Sequence, residues 1–149
     1  MSEVKLIPIN EGNYNAVLSI KVAEDQKSFV ASNVYSVAQA YIFKSMHPMC
    51  IYANDVLVGF LMYDTEPENK KYAKYYAMDR LMVAKDHQKK GYGRQAVELL
   101  KEIARKKNAQ GLMTSYVQSN DIAGKLYSDL GMKKTGEIDD GEYVAAMEF

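Results

Sequence analysis

Residues 88–94 read Gln88-Lys89-Lys90-Gly91-Tyr92-Gly93-Arg94. They follow a strand-like run, Tyr75 to Val83, and open a helix-like run, Arg94 to Lys107. A cationic, glycine-bearing loop between a strand and a helix start is suited to holding a phosphate. The first helical turn leaves its N–H groups unpaired, the helix dipole is positive there, and glycine lets a ligand approach the backbone.

The helix after the glycines carries Ala96, Val97, Leu100, Ile103 and Ala104 on one stripe, which predicts a core-facing side. Leu112 to Val117 reads as the next strand. Ser119-Asn120-Asp121 is an N-cap cluster for a helix through Leu130, and Gly131 is its stop. Lys133 to Ile138 and Tyr143 to Phe149 form a hairpin around Asp139-Asp140-Gly141.

Upstream, Val4 to Ile9 is a short strand and Glu11 to Ile20 has helical spacing, with Asn10 as its cap. Ala23 to Ser32 is polar and reads as a loop. Asn33 then caps a helix carrying Val34, Val37, Ala38, Tyr41 and Ile42, which His47-Pro48 ends. Met49 to Ala53 and Val56 to Tyr63 make a hairpin turning at Asn54-Asp55, and Asp64 to Lys71, with Pro67, is a charged loop. Tyr75 to Val83 is apolar on both faces apart from Asp79 and Arg80, as a central strand is. The order β-α-α-β-β-β-α-β-α-β-β predicts an α/β protein with a mixed (α+β) sheet and helices on its faces.

The 149 residues suit one domain, residues 1–149, with a genuine core. Lys+Arg equals Asp+Glu, so no global field draws nucleic acid or an anionic membrane, and any anion site must be local. Cys50 is the only cysteine, which excludes an internal disulfide and fits a reducing compartment; its apolar surroundings predict burial rather than nucleophilic chemistry. No signal-like or membrane-length apolar run is present, so a cytoplasmic location is expected. His47 and His87 lack metal-ligand spacing, and no metal is expected. Twelve Tyr without Trp predict that several Tyr line a cleft or an interface.

Three kinds of phosphate loop compete for residues 88–94. A nucleotide P-loop needs Gly-Lys-Ser/Thr, whereas Gly93 is followed by Arg94 and Gln95. A dinucleotide fingerprint is formally met by Gly91-x-Gly93-x-x-Ala96. However, Val117-Gln118-Ser119 stands where a ribose-binding acid belongs, and the entry from Val83 to Gly91 is long and charged. The third is a pyrophosphate loop for coenzyme A.

On Gln88, Gly91 and Gly93, the chain resembles the GCN5-related N-acetyltransferases (GNAT), whose signature is Gln/Arg-x-x-Gly-x-Gly/Ala after the fourth strand. The run Asn120-Asp121-Ile122-Ala123-Gly124-Lys125-Leu126-Tyr127, ending Leu130-Gly131-Met132, is similar to the family's second coenzyme-contacting helix. Val58-Gly59-Phe60-x-Met62-Tyr63 and Asp79-Arg80 resemble its bacterial spermine/spermidine-type members. The resemblance implies a mostly antiparallel sheet splayed in the middle, helices on both faces, and an acetyl-coenzyme A-dependent N-acetyltransferase. The acceptor would be a small-molecule amine, polyamines first, with aminoglycosides, amino acids and protein amines left open. A homodimer is plausible by the same resemblance. A non-catalytic acyl-coenzyme A sensor on this fold is the alternative, and a dinucleotide-binding module is the one from another class.

The resemblance also implies the site. Main-chain N–H groups from Lys89 through Lys90, Gly91, Tyr92 and Gly93 to Arg94 would hold the pyrophosphate, and exposed backbone of Leu81, Met82 and Val83 the pantetheine arm. Asn120 would serve as N-cap and coenzyme contact, with Ala123 and Tyr127 on the same helical stripe. Ile122, Leu126 and Leu130 form the apolar stripe, so Tyr127 is expected to point away from the core toward the sulfur, as general acid. An alkylamine with a Lys-like pKa costs about 4.6 kcal/mol to deprotonate at pH 7, so a proton acceptor is needed. Many family members place a Glu on the central strand; the corresponding residue here is Ala77. Asp79, on the same face by alternation unless a bulge intervenes, is the candidate for amine binding or a water-relayed base; a salt bridge or backbone bond within the sheet is the competing reading. Glu24, Asp25, Asp64, Glu66 and Glu68 are weighed as an acidic mouth for a polycation against solvated loop charge.

Overall fold

The computed structural model describes residues 2–23, 26–27 and 31–149. The strand read as central spans Tyr75–Val83 and is the fourth (β4). Before it come β1 (Val4–Pro8), α1 (Tyr14–Leu18), α2 (Asn33–Ile42), β2 (Met46–Ala53) and β3 (Val56–Asp64). After it come α3 (Tyr92–Lys106), β5 (Gly111–Val117), α4 (Asp121–Asp129), β6 (Lys133–Asp139) and β7 (Glu142–Glu148). The order of elements is the one the sequence predicts.

The strands form one sheet in the order β1-β2-β3-β4-β5-β7-β6. Every neighbouring pair is antiparallel except β4 and β5, which run parallel over only Tyr75↔Gly111 to Met78↔Thr114. Two hairpin turns lock the register with consecutive left-handed residues: Asn54 and Asp55 (φ 47° and 68°), and Asp140 and Gly141 (φ 48° and 80°). β3 shows the period-two logic of the sheet. Leu61 and Tyr63 join a core with Val97 and Leu100 of α3 and Tyr127 of α4. Phe60 and Met62 join a second core with Val17 of α1 and Ala40 of α2. The helices therefore cover both faces, α3 and α4 on one, α1 and α2 on the other. Gly59 is glycine because a Cβ there would sit 2.3 Å from the Met82 carbonyl oxygen across the β3–β4 pair.

Several local expectations are corrected. α1 begins at Tyr14 rather than Glu11, because Asn10 spends its Oδ1 accepting from the N–H groups of Gly12 and Asn13 in a turn ahead of the helix. Ser32, not Asn33, caps α2 by accepting from the Tyr35 N–H. Asn33 is buried inside the first turn and donates from Nδ2 to the Val17 carbonyl, tying α2 to α1. His47-Pro48 does not end a helix; both lie in β2. β1 stops at Pro8 opposite Met49, so Pro48 falls where that edge of β2 has no partner, and its missing N–H breaks no ladder there.

Candidate active site

β4 runs on to Val83 and β5 to Val117, but their pairing stops at Met78↔Thr114. Beyond that rung β4 stays with β3 and β5 with β7, so the sheet opens between them. The Thr114 hydroxyl donates to the Met78 carbonyl at 2.8 Å and fixes the vertex of the opening. A cleft of about 870 Å³ fills the gap, lined by Asp79 to Val83, the glycine loop, the end of β5 and the inner side of α4.

The loop arrives preshaped. A 3₁₀ turn over Lys85–His87 leads from β4, Lys89 (φ 64°) and Gly91 (φ 83°) are left-handed, and α3 starts at Tyr92 with no side-chain cap. The N–H groups of its first turn are left for a ligand. No atom lies within 4 Å of where a Gly91 Cβ would project, whereas one on Gly93 would meet Val83 and Leu126 at 3.7 and 3.8 Å. Gln88 acts as a latch: its Nε2 donates to the Val83 carbonyl at 2.9 Å and to Gln26 Oε1 at 2.8 Å. Its side chain shapes the loop from inside. Lys89 lines the cleft; Lys90 is exposed outside it. Arg94 also lines it while holding Asp129 of α4 at 3.3 Å.

α4 is capped as read, Asn120 Oδ1 accepting from the Ala123 N–H at 3.2 Å, and Gly131 (φ 93°) follows its last turn. Its stripes are not as read. Ile122 is 70% exposed at the cleft, while Tyr127 is 7% exposed and belongs to the core. Tyr127 shares a core-facing stripe with Ala123 and Leu130, four residues before and three after it, and Gly124 lies so close to the Tyr116 ring that an added Cβ would come within 3.3 Å of it. Tyr116 meets Tyr127 edge-on at 5.5 Å and Tyr143 at 5.7 Å. Tyr127 still lines the cleft. Burial drives its phenol well above the ordinary tyrosine value, partly offset by the neighbouring Thr114 hydroxyl and reinforced by Tyr116 and Glu142.

Asp79 occupies a β-bulge. Tyr63 pairs with Met78 and Met62 with Arg80, so Asp79 is the extra residue, placed where the sheet splits. One carboxylate oxygen is buried without a partner. Burial, followed by the charge of Asp64, pushes Asp79 up to about 6, with Arg80 pulling the other way. The neighbouring guanidinium is otherwise engaged, donating to the Asp79 carbonyl at 2.9 Å and to Gln39 of α2 at 3.2 Å. Asp64 is no solvated loop charge: it ends β3, is buried, and accepts from the Glu66 N–H. Glu66 and Glu68 are exposed, and Glu24 and Asp25 lie outside the described residues.

The gap thus brings together Asp79, Leu81, Met82, Val83, Gln88, Lys89, Gly91, Tyr92, Gly93, Arg94, Asn120, Ala123 and Tyr127, most of the residues read from sequence. Sequence reasoning missed Thr114, Ser115, Glu142 and the Gln26 partner of Gln88. The signal for Glu142 was the turn at Asp139-Asp140-Gly141, which sets the register of the residue after it. Cys50 is buried, its thiol pushed up to about 11 by burial. Among the described residues no three metal-capable side chains cluster, and no helix is long and apolar enough to cross a membrane.

Comparison with known proteins agrees with this geometry. Residues 14–132 match the acetyltransferase (GNAT) family. A spermine/spermidine N(1)-acetyltransferase of Bacillus subtilis is 27% identical over 97% of this chain and 98% of its own. Among solved structures, aminoglycoside acetyltransferase AAC(6')-Ib in complex with coenzyme A superposes with a TM-score of 0.81 at 16% identity, over 98% of this chain and 95% of that one. Spermidine N-acetyltransferase from Vibrio cholerae, in complex with coenzyme A and spermine, gives 0.74 at 13%, over 98% and 94%.

Proposed function

This chain belongs to the acetyltransferase (GNAT) family, and on that premise we propose that it moves an acetyl group from acetyl-coenzyme A to a primary amine of a polyamine, by direct attack in a ternary complex. The observation that carries the reading is the continuity of one cleft from the glycine loop to the open rung between β4 and β5. The loop end is cationic, with Lys89 and Arg94, and offers unpaired N–H groups to a pyrophosphate. The edge of β4 from Asp79 to Val83 that faces β5 has no strand partner, leaving main-chain groups for an extended arm and for the oxygen that gains charge during acyl transfer.

The bound thioester supplies the electrophilic carbonyl; the chain supplies the proton traffic. As the amine nitrogen forms its bond to the carbonyl carbon and the carbon–sulfur bond breaks, Asp79 takes the amine proton, directly or through water. With its pKa near 6, Asp79 is ionised at neutral pH yet more basic than an ordinary aspartate. Tyr127 gives its proton to the departing sulfur. Its raised pKa keeps that proton in place until a strong base appears beside it. The polyamine assignment draws on the 27% identical relative and on the carboxylate of Asp79 in the cleft, whose pKa the nearby charge of Asp64 helps to raise.

A thiol-release assay tests this reading, with acetyl-coenzyme A and a panel of spermidine, spermine, a monoamine, an aminoglycoside and a lysine peptide. Release is expected fastest with the polyamines. If acetyl-coenzyme A raises the unfolding temperature but no amine releases thiol, a sensor role replaces the enzyme; stabilisation by NAD instead would favour the dinucleotide module.

A further inference from the structure

From the way Glu142 is held at the cleft, and resting on the polyamine reading above, we infer that Glu142, oriented by Ser115, is the specificity residue that binds a second ammonium of the acceptor, away from the reacting nitrogen. Side-chain alternation sets the geometry. In β5, Leu112 and Tyr116 face the core under α3 and α4, so Ser115 and Val117 face the opposite side of the sheet. Glu142 pairs with Val117 across β5 and β7, and therefore shares that side. Asp79, the bulged residue, sits between Met78 of the first core and Arg80, which reaches Gln39 of α2, at the edge where the sheet opens. Tyr127 enters from the α4 side. Asp79 and Glu142 thus stand on opposite banks of the gap, and both line the cleft that Tyr127 also reaches.

Glu142 is also preset. The Ser115 hydroxyl donates to its Oε1 at 3.0 Å, leaving the other oxygen for a ligand. Its backbone is fixed by Val117, by Asp139 across the hairpin, and by Gln118, whose Nε2 donates to the Gly141 carbonyl at 2.9 Å. Among the described residues lining the cleft, Asp79 and Glu142 are the only carboxylates, while His87, Lys89 and Arg94 sit at the loop end. Arg80 lies beside Asp79, on β4, so it opposes a cation less at Glu142 than at Asp79. β5 separates β4 from β7, and at a strand spacing of about 4.8 Å the backbones that carry the two side chains stand on the order of 10 Å apart, more where β4 and β5 part. That span suits charges strung along a methylene chain and exceeds what one ammonium can bridge.

The test is the affinity of coenzyme A-saturated protein for spermidine, by titration calorimetry, in wild type, Glu142→Gln, Glu142→Asp and Ser115→Ala. A charge-assisted hydrogen bond of typical strength predicts about tenfold weaker binding in Glu142→Gln, with most of it restored in Glu142→Asp. In turnover the loss falls on KM for spermidine, with kcat within about twofold, and KM for butylamine is unchanged. Unchanged spermidine affinity in Glu142→Gln overturns the inference, as does a fall in kcat at constant KM. Should Glu142→Gln unfold, Ser115→Ala decides: weaker spermidine binding supports the role and wild-type binding refutes it. Failure of the enzymatic reading shows separately, as no thiol release by wild type with any amine, while the spermidine affinities still decide on Glu142.

Discussion

The Thr114 hydroxyl donates to the Met78 carbonyl at 2.8 Å, on the last rung that β4 and β5 share. A side chain continues the ladder for one bond at the point where the main chain abandons it. Thr114 is 2% exposed, so Thr114→Val keeps the shape and strands a buried carbonyl. The expected cost is about 1–3 kcal/mol, read from urea denaturation midpoints. An unchanged midpoint would mean that the vertex holds without this bond.

Tyr127→Phe preserves the edge-on contact with Tyr116 and removes only the hydroxyl. Loss of a positioned acid predicts a fall in kcat of about 10²-fold, with coenzyme A affinity retained. Turnover near that of wild type would remove Tyr127 from the chemistry and leave it a packing residue.

Asp79 gives a pH signature. Its pKa is raised from 3.8 to about 6 in the folded chain. Between those values the native state binds more protons than the unfolded state, so stability falls as pH rises through that window and levels off above it. The shift corresponds to about 3 kcal/mol at most. Asp79→Asn should flatten this slope between pH 4 and 6 and raise stability at pH 8, measured by denaturation across pH. The same group should set the acid limb of kcat/KM near pH 6 in wild type, and the limb should vanish in Asp79→Asn.

The two loop glycines should respond differently. Gly91 is left-handed, and alanine there is strained by about 1–2 kcal/mol although nothing blocks its Cβ. Gly93 is helical with room for a methyl at ordinary contact distance, so Gly93→Ala should keep or raise the melting temperature, by up to about 1 kcal/mol in stability. Thermal unfolding of both variants checks the ranking, and a Gly93→Ala variant less stable than Gly91→Ala would contradict it.

Strong local signals carried most of the fold. β4 runs from Tyr75 to Val83 as read, because seven apolar residues around Asp79-Arg80, bounded by charged loops, leave little choice. Asn120 and Gly131 bracket α4 through capping chemistry that is nearly context-free. The failures are places where a residue has two legitimate uses. Pro48 ends helices and also tolerates an unpaired strand edge, and only the length of β1 decides between them. Asn33 and Ser32 are both good caps; the contact of Asn33 with Val17, sixteen residues earlier, settles which one serves. The inward side of Tyr127 was open to reading, because Ala123, Tyr127 and Leu130 also share a stripe by spacings of four and three, and the packing on Tyr116 decides between the two stripes. Asp79 was legible as a polar residue in an apolar strand, but its partnership with Asp64 needed the β3–β4 pairing, and Glu142 needed the β5–β7 register.

Because β4 and β5 part, one cleft is lined from both layers of the protein, by Val22 of the core beneath α1 and α2 and by Ala123 and Leu126 of α4. On the proposed reading, a donor arm and an acceptor can lie side by side across this breach instead of one behind the other. Saturating either one should then not lock the other out, so the order of arrival is free to be set by affinity rather than by obstruction.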